Sequence, residues 1–157
     1  MKALTLCQPY ATLVALGYKT FETRGYDTRY RGPLLIHAGR TLTYVGGKRG
    51  LRETCEREPF RRVLTDAGLA DPNDLPLGVV VAVVDLVETF ESSGSPPQGA
   101  PETEVAFGDF AAGRYLWELH RVRRLAEPLA ACGHQQLWNP PASVSLAARR
   151  QIAGGVL

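Results

Sequence analysis

The stretch GVVVAVVDLVE, residues 78–88, most strongly limits what this chain can fold into. It contains six consecutive apolar residues, Val79–Val84, and most of them are β-branched, which favours a strand. A strand whose consecutive residues are all apolar has no polar face, so both faces of its sheet must be covered. The chain therefore needs a sheet with packing elements on each side.

Alternation of apolar and polar residues, together with turn residues, predicts the other elements. We expect strands over 1–6, 20–24, 33–38, 77–88 and 114–124, and helices over 10–16, twice within 48–68, and over 143–153 with Ser143 as its cap. This order does not fit the regular alternation of a parallel Rossmann-type sheet. It predicts an α+β fold, a small mixed or antiparallel β-barrel flanked by short helices.

Length and composition predict one domain, residues 1–157, with a flexible insert at 92–101 (SSGSPPQGAP). The net charge is only +2, so any basic binding site must be local. Three cysteines lie far apart without a CxxC pair, which is typical of a reduced intracellular protein. The N-terminus shows no signal-peptide pattern, and no apolar run could span a bilayer. We therefore expect a cytoplasmic protein without a membrane partner.

The segment LGYKTFETR, residues 16–24, brings three charged side chains close together. Glu22 and Arg24 share one face of a predicted strand, and Lys19 lies in the turn that Gly17 allows before it. A converging ammonium, carboxylate and guanidinium would recognise anions and amides. Glu22 could act as a base or acceptor, while Lys19 stabilises a developing oxyanion. The alternative is a surface salt-bridge cluster that contributes little.

The loop that follows is rich in arginine and tyrosine. Arg29 and Arg31 could bind phosphates, and Tyr26 and Tyr30 could stack on bases, a combination that suits single-stranded nucleic acid. The alternative is an ordinary polar loop whose tyrosines cover the barrel. Asp85 lies inside the strongest predicted strand, where it must turn outward, find a polar partner or face the Lys19 cluster.

Histidine and cysteine spacing predicts no metal site, because Cys132-x-His134 alone falls far short of a zinc site. The chain also lacks a P-loop, a GxGxxG turn, GxSxG and HExxH. We therefore expect no cofactor, and we do not expect nucleoside triphosphate hydrolysis, dinucleotide redox chemistry, serine hydrolysis or zinc proteolysis.

The residues Gly17, Lys19, Glu22 and Arg24 form the pattern G-x-K-x-x-E-x-R, which resembles the motif of the ASCH domain family in the PUA-like superfamily. The blocks YRGPLLIHA, VVAVVDLVE, GRYLWEL and QLWNPP match the family in order, so the resemblance spans most of residues 1–141. It implies a PUA-like β-barrel and a cleft that binds RNA or a nucleotide-like molecule. By position, Lys19, Glu22 and Arg24 would line that cleft.

The same resemblance leaves the question of catalysis open. One branch of the family is similar to amidohydrolases that act on acetylated cytidine, with a threonine where this chain has Glu22. Other relatives are ribonucleases, which would need further carboxylates such as Asp85 or Glu88 near the motif. Three hypotheses therefore stand: a binding module for RNA or a nucleotide, a small hydrolase using Lys19 and Glu22, and an interaction domain in which the motif is a scaffold salt bridge.

Overall fold

A computed structural model describes residues 1–154. Six strands form one sheet: β1 (Lys2–Leu6), β2 (Phe21–Arg24), β3 (Gly32–Ala38), β4 (Val79–Glu91), β5 (Tyr115–Ala130) and β6 (Leu137–Trp138). Their order is β2-β5-β4-β3-β1-β6. β1 pairs with β3 in parallel, and the remaining neighbours pair antiparallel, so the sheet is mixed. The predicted α+β class with a mixed sheet is confirmed.

Short α-helices pack beside this sheet: α1 (Tyr10–Ala15), α2 (Gly47–Glu56), α3 (Phe60–Asp66), α4 (Glu102–Phe107) and α5 (Ala142–Gly154). The curled sheet wraps around α1, which contacts β1, β3, β4 and β5. Leu13 and Val14 of this helix are completely buried. Burying side chains of this size stabilises a fold by about 1.5–3 kcal/mol each. Within residues 1–154, no helix is long and apolar enough to cross a membrane.

Strand β4 is covered on both faces, as its apolar run predicts. Val84 and Leu86 pack in the core that contains α1, whereas Val80 and Val83 pack in a second core with Ala148 of α5. The assignment of residues to the two faces does not follow a strict period of two, because the pairing of β4 with β5 shifts three times along the strand. Such bulges bend a strand and increase its twist, so they curl the sheet.

Several local predictions differ from the structure: strand β6 was not expected, and β4 extends past residue 88 to Glu91. Strand β5 continues past residue 124 to Ala130 and includes Pro128, which lies in the irregular stretch between the paired residues Arg124 and Leu129. A proline is tolerated there because it need not donate to the ladder. Helix α5 begins at Ala142, so Ser143 lies inside the helix and is not its cap. Helix α4 was not predicted at all.

Candidate functional site

The end of α1 determines where the charged motif lies. Gly17 has a φ of 82°, a conformation that side chains with a Cβ rarely adopt, and it reverses the chain after the helix. The backbone N–H groups of Tyr18 and Lys19 both donate to Leu13 O, at 3.0 and 3.2 Å. Strand β2 then begins two residues later and pairs with β5, which places Glu22 opposite Trp117.

Lys19 is a buried ammonium. It is only 2% exposed, and its Nζ donates to Phe21 O at 2.7 Å and to Phe107 O at 2.8 Å. Glu22 Oε2 lies 3.6 Å from the same nitrogen. An ammonium has three donors, and here three acceptors surround it. Lys19 is therefore not part of a solvated surface pair; it joins β2 to α4 and holds one oxygen of Glu22.

Glu22 and Arg24 lie side by side on β2, as their alternation predicts. Glu22 is 9% exposed, and its Oε1 lies 3.2 Å from Arg24 Nε. The Arg24 guanidinium also donates from Nη2 to Thr5 O at 2.9 Å, which ties it to β1. The carboxylate thus has a fixed order of neighbours: Lys19 beside Oε2, and Arg24 beside Oε1. The structure brings together the three charged residues that the sequence grouped.

A fourth charged residue, Glu104, belongs to the same cluster. This carboxylate of α4 is 1% exposed and accepts from Thr20 N at 2.8 Å, Thr20 Oγ1 at 2.9 Å and Phe21 N at 2.9 Å. Carboxylates that accept backbone N–H bonds form strong, short interactions. Glu104 therefore fixes the backbone on either side of the motif. The sequence shows no difference between Glu104 and the nearby Glu102, and the contact spans more than 80 residues, so local patterns could not reveal it.

Glu22 and Arg24 line a cavity of about 710 Å³. It is formed by the ends of β1 and β3, by β2, and by the segments around 40–44 and 131–136; its lining includes Thr5, Cys7, Tyr10, Tyr26, His37, Arg40, Tyr44, His134, Gln135 and Gln136. Tyr44 stands at the rim and is 77% exposed. Glu22 is the one carboxylate among the described lining residues, while Arg24 and Arg40 supply positive charge.

Tyr26 adds an aromatic residue to the cavity lining. Its ring packs edge-on against Trp117, with 5.4 Å between centroids. Among residues 1–154, its buried hydroxyl finds no hydrogen-bond partner. Burial raises the pKa of this phenol above its usual value. A buried hydroxyl without a partner is uncommon in folded proteins, and it lies inside the wall and not on the cavity surface.

A chain of hydrogen bonds holds the floor of the cavity. The Trp138 indole donates to Thr5 Oγ1 at 3.0 Å, and this hydroxyl lies 3.2 Å from His37 Nδ1. His37 Nε2 lies 2.9 Å from Ala131 O. A carbonyl only accepts, so the proton is on Nε2 and Nδ1 accepts from Thr5. Burial lowers the pKa of His37, which keeps the ring neutral.

Position 133 in the cavity lining has no room for a side chain. Gly133 lies directly over His37, where a Cβ would be 2.5 Å from the ring Cε1.

Cys7 also lines the cavity, but burial and the nearby Glu22 carboxylate raise the pKa of its thiol. A thiol with a raised pKa is a weak nucleophile at neutral pH. The described residues contain no group of three or more His, Cys, Asp or Glu side chains that could hold a metal ion.

Most of the predicted arginine and tyrosine loop lies outside the cavity lining. Arg31 donates to Thr28 O at 2.8 Å and to Tyr30 O at 2.9 Å, and it pairs with Glu88, so it clamps this loop to β4. The Tyr30 hydroxyl donates to Pro33 O. Arg29 is exposed. Of the loop residues predicted to contact a ligand, only Tyr26 reaches the cavity among the residues that the structure describes.

Asp85 lies in β4 opposite Pro33, whereas His37 and the cavity are at the other end of β3. Its carboxylate forms ion pairs with Arg123 and, at 3.6 Å, with Arg121. The structure does not bring Asp85 to the Lys19 cluster, and Asp85 has instead the polar partners that a half-buried carboxylate requires. Glu88 is likewise held by Arg31, away from the cavity.

Tyr10, Arg40 and Tyr44 are among the cavity-lining residues that the sequence patterns did not predict. Tyr10 opens α1, where its ring lies 5.9 Å from Lys19 Nζ. Arg40 lies three residues before a 3-10 turn at Thr43–Val45, and Tyr44 is the middle residue of that turn. An exposed tyrosine in a polar segment was the available indication for Tyr44, but nothing in the sequence places that segment beside β2.

The fold and the motif together define a class of protein. The sequence profile of the ASCH domain matches residues 4–96, so the chain belongs to the ASCH domain family. It is 33% identical over 85 residues to activating signal cointegrator 1 of Mus musculus and, equally, to that of Homo sapiens. Those 85 residues are 54% of this chain but only 14% of either relative.

A solved structure supports the fold over the whole chain. The crystal structure of ASCH from Zymomonas mobilis superposes with a TM-score of 0.54, covering 98% of this chain and 94% of that one. The two sequences are 11% identical over this match, so the likeness shows the fold alone. The profile match confirms the predicted family membership, and the solved structure confirms the fold.

Proposed function

We propose that this protein binds RNA or a nucleotide-like molecule by holding one nucleotide unit in the cavity beside β2. The observation that carries the proposal is the Glu22 carboxylate, which lines the cavity with Arg24 beside it and is held from behind by buried Lys19. An acceptor and a donor fixed next to each other match the hydrogen-bonding edge of a nucleobase.

The other lining residues suit the remaining parts of a nucleotide. Tyr44 exposes 77% of its surface at the rim, where its ring can stack on a base. Arg40 carries a positive charge on the same segment and can contact a phosphate. The volume of about 710 Å³ falls within the usual range of about 300–1,000 Å³ for small-molecule sites.

The charge of the chain supports a small ligand or a short strand. Affinity for long nucleic acids depends mainly on the number of phosphates neutralised, and the net charge here is only +2. In this proposal Lys19 is a positioning residue, because its ammonium faces two carbonyls and Glu22, and the residue does not line the cavity.

Binding is tested by calorimetry with the four ribonucleoside monophosphates and with short single-stranded RNA. Tyr44→Ala is expected to weaken binding by about 5–150-fold, since stacking of a base on an aromatic ring contributes about 1–3 kcal/mol. The matched control is Tyr18→Ala, which removes an exposed tyrosine outside the cavity lining. Equal affinities for wild type and Tyr44→Ala, or no binding by wild type, would contradict the proposal.

The alternative, a hydrolase, is tested with an activity assay. Nucleosides, acetylated cytidine included, and RNA are incubated with wild type and with Glu22→Gln, and products are separated by chromatography. Turnover by wild type that Glu22→Gln abolishes would make the cavity an active site in which Glu22 activates water. Binding without turnover would leave a recognition site.

A further inference from the structure

We infer that the nucleobase recognised in this cavity is guanine, read by the two carboxylate oxygens of Glu22 and by Arg24. This inference rests on the proposed function and specifies its ligand. It follows from the order of charged atoms at the cavity wall and from the hydrogen-bonding edges that the four bases offer.

The first step concerns what Glu22 can accept. Both oxygens of a carboxylate are acceptors, and neither donates. Lys19 lies 3.6 Å from Oε2 and Arg24 Nε lies 3.2 Å from Oε1, so each oxygen retains lone-pair directions for a further donor. Two oxygens side by side are satisfied by two adjacent N–H groups on a ligand.

Among the four bases, guanine alone presents two adjacent donors on its Watson–Crick edge, N1–H and the N2 amino group. Adenine and cytosine each present one amino group next to a ring-nitrogen acceptor. Uracil presents one N–H between two carbonyls. An acceptor placed against a carboxylate oxygen is repelled, and the buried group is left without a partner. The carboxylate therefore selects guanine by matching it and by excluding the other bases.

The second step concerns the order of the groups. Along the guanine edge the sequence is N2 donor, N1 donor, O6 acceptor. Along the cavity wall the sequence is Oε2, Oε1, Arg24, because Arg24 lies beside Oε1 and Lys19 beside Oε2. A guanine whose N2 and N1 face Oε2 and Oε1 therefore presents O6 on the Arg24 side. Arginine is a common donor to guanine O6.

The third step concerns ligands other than a nucleobase. A cationic guanidinium ligand also carries adjacent N–H donors, but Arg24 and Arg40 would repel it.

The test is a calorimetric series on wild type with guanosine, inosine and 1-methylguanosine, together with adenosine, cytidine, uridine and methylguanidine. Inosine lacks the N2 amino group and should bind about 10–100-fold more weakly than guanosine, the usual effect of losing a hydrogen bond to a charged group. 1-Methylguanosine places a methyl group against Oε1 and should bind at least as weakly as inosine. A uridine hexamer with one central guanosine shows whether the cavity binds guanine within RNA with the same affinity as the free nucleoside.

Glu22→Gln tests the residue. The variant should bind guanosine more weakly than wild type does, with an affinity close to its affinity for inosine. The control Glu53→Gln replaces a surface carboxylate on α2 and should leave the affinities for guanosine and inosine unchanged. If Glu22→Gln does not fold, the nucleoside series on wild type by itself tests whether guanine is the recognised base. Equal binding of all bases, preference for another base, or equal binding of methylguanidine would overturn the inference of guanine and leave the nucleotide site standing. Binding of no nucleoside or nucleotide at all would overturn both.

Discussion

Replacing Glu104 with glutamine should destabilise the fold strongly, although the change only replaces one carboxylate oxygen by an NH₂ group. Glu104 is 1% exposed, and its oxygens accept from Thr20 N, Thr20 Oγ1 and Phe21 N. In Glu104→Gln one oxygen becomes an NH₂ group that faces at least one of these N–H donors. The remaining oxygen also loses its charge.

The magnitude follows from these contacts. A hydrogen bond to a charged group contributes about 1.5–3 kcal/mol, and a buried donor left without a partner costs about 1–3 kcal/mol more. Rotation of the Thr20 hydroxyl can recover one bond. The expected loss in the free energy of unfolding is therefore about 3–6 kcal/mol, a large part of the 5–15 kcal/mol that typically stabilises a domain.

The assay is urea unfolding followed by tryptophan fluorescence, since Trp117 is fully buried on β5 opposite β2. The matched control is Glu102→Gln, an exposed carboxylate in the first turn of the same helix. The control should unfold within about 0.5 kcal/mol of wild type. If the two variants unfold at the same urea concentration with the same slope, Glu104 does not anchor the motif and the reasoning fails.

Two predictions concern groups whose pKa the fold shifts. In the native protein, iodoacetamide should modify exposed Cys132 first, because burial raises the pKa of Cys55 to about 11 and also raises that of Cys7. Peptide mass spectrometry after labelling at pH 7 and 9 measures the order of modification. Early labelling of Cys55 would contradict the prediction. Burial lowers the pKa of His37 below 6.5, so the unfolded chain binds more protons and stability should fall as the pH drops below about 6.5. Urea unfolding at pH 5 and 7.5 should show a smaller pH dependence for His37→Gln than for wild type; the same pH dependence in both would refute the assignment.

The predictions made from sequence succeeded where a residue's structure depends on its near neighbours. The apolar run of β4 and the turn at Gly17 follow from residues a few positions apart, and both are as expected. Alternation placed Glu22 and Arg24 on one face of β2, and the two are in contact. The resemblance of the motif to the ASCH family is confirmed by the match over residues 4–96.

The assignments that local pattern left open depend on contacts distant in sequence. Asp85 could have faced the motif, but the register of β3 against β4 places it at the other end of the sheet from His37. The guanidinium of Arg31 could bind a phosphate, yet here it forms an ion pair with Glu88 that holds its own loop to β4. A side chain's chemistry shows what it can bind, while the packing of other segments decides whether it is available.

The sequence by itself therefore determined most of the elements, the family and the convergence of Lys19, Glu22 and Arg24, because these follow from short-range periodicity and from a motif within one turn and one strand. Only the tertiary structure decided that Lys19 is buried, that Glu104 anchors the motif, and that Tyr44 stands at the cavity rim. These contacts join segments that lie 20 to more than 80 residues apart along the chain. Such pairs are brought together by burial of the shared core, and the pattern of any single segment does not encode them.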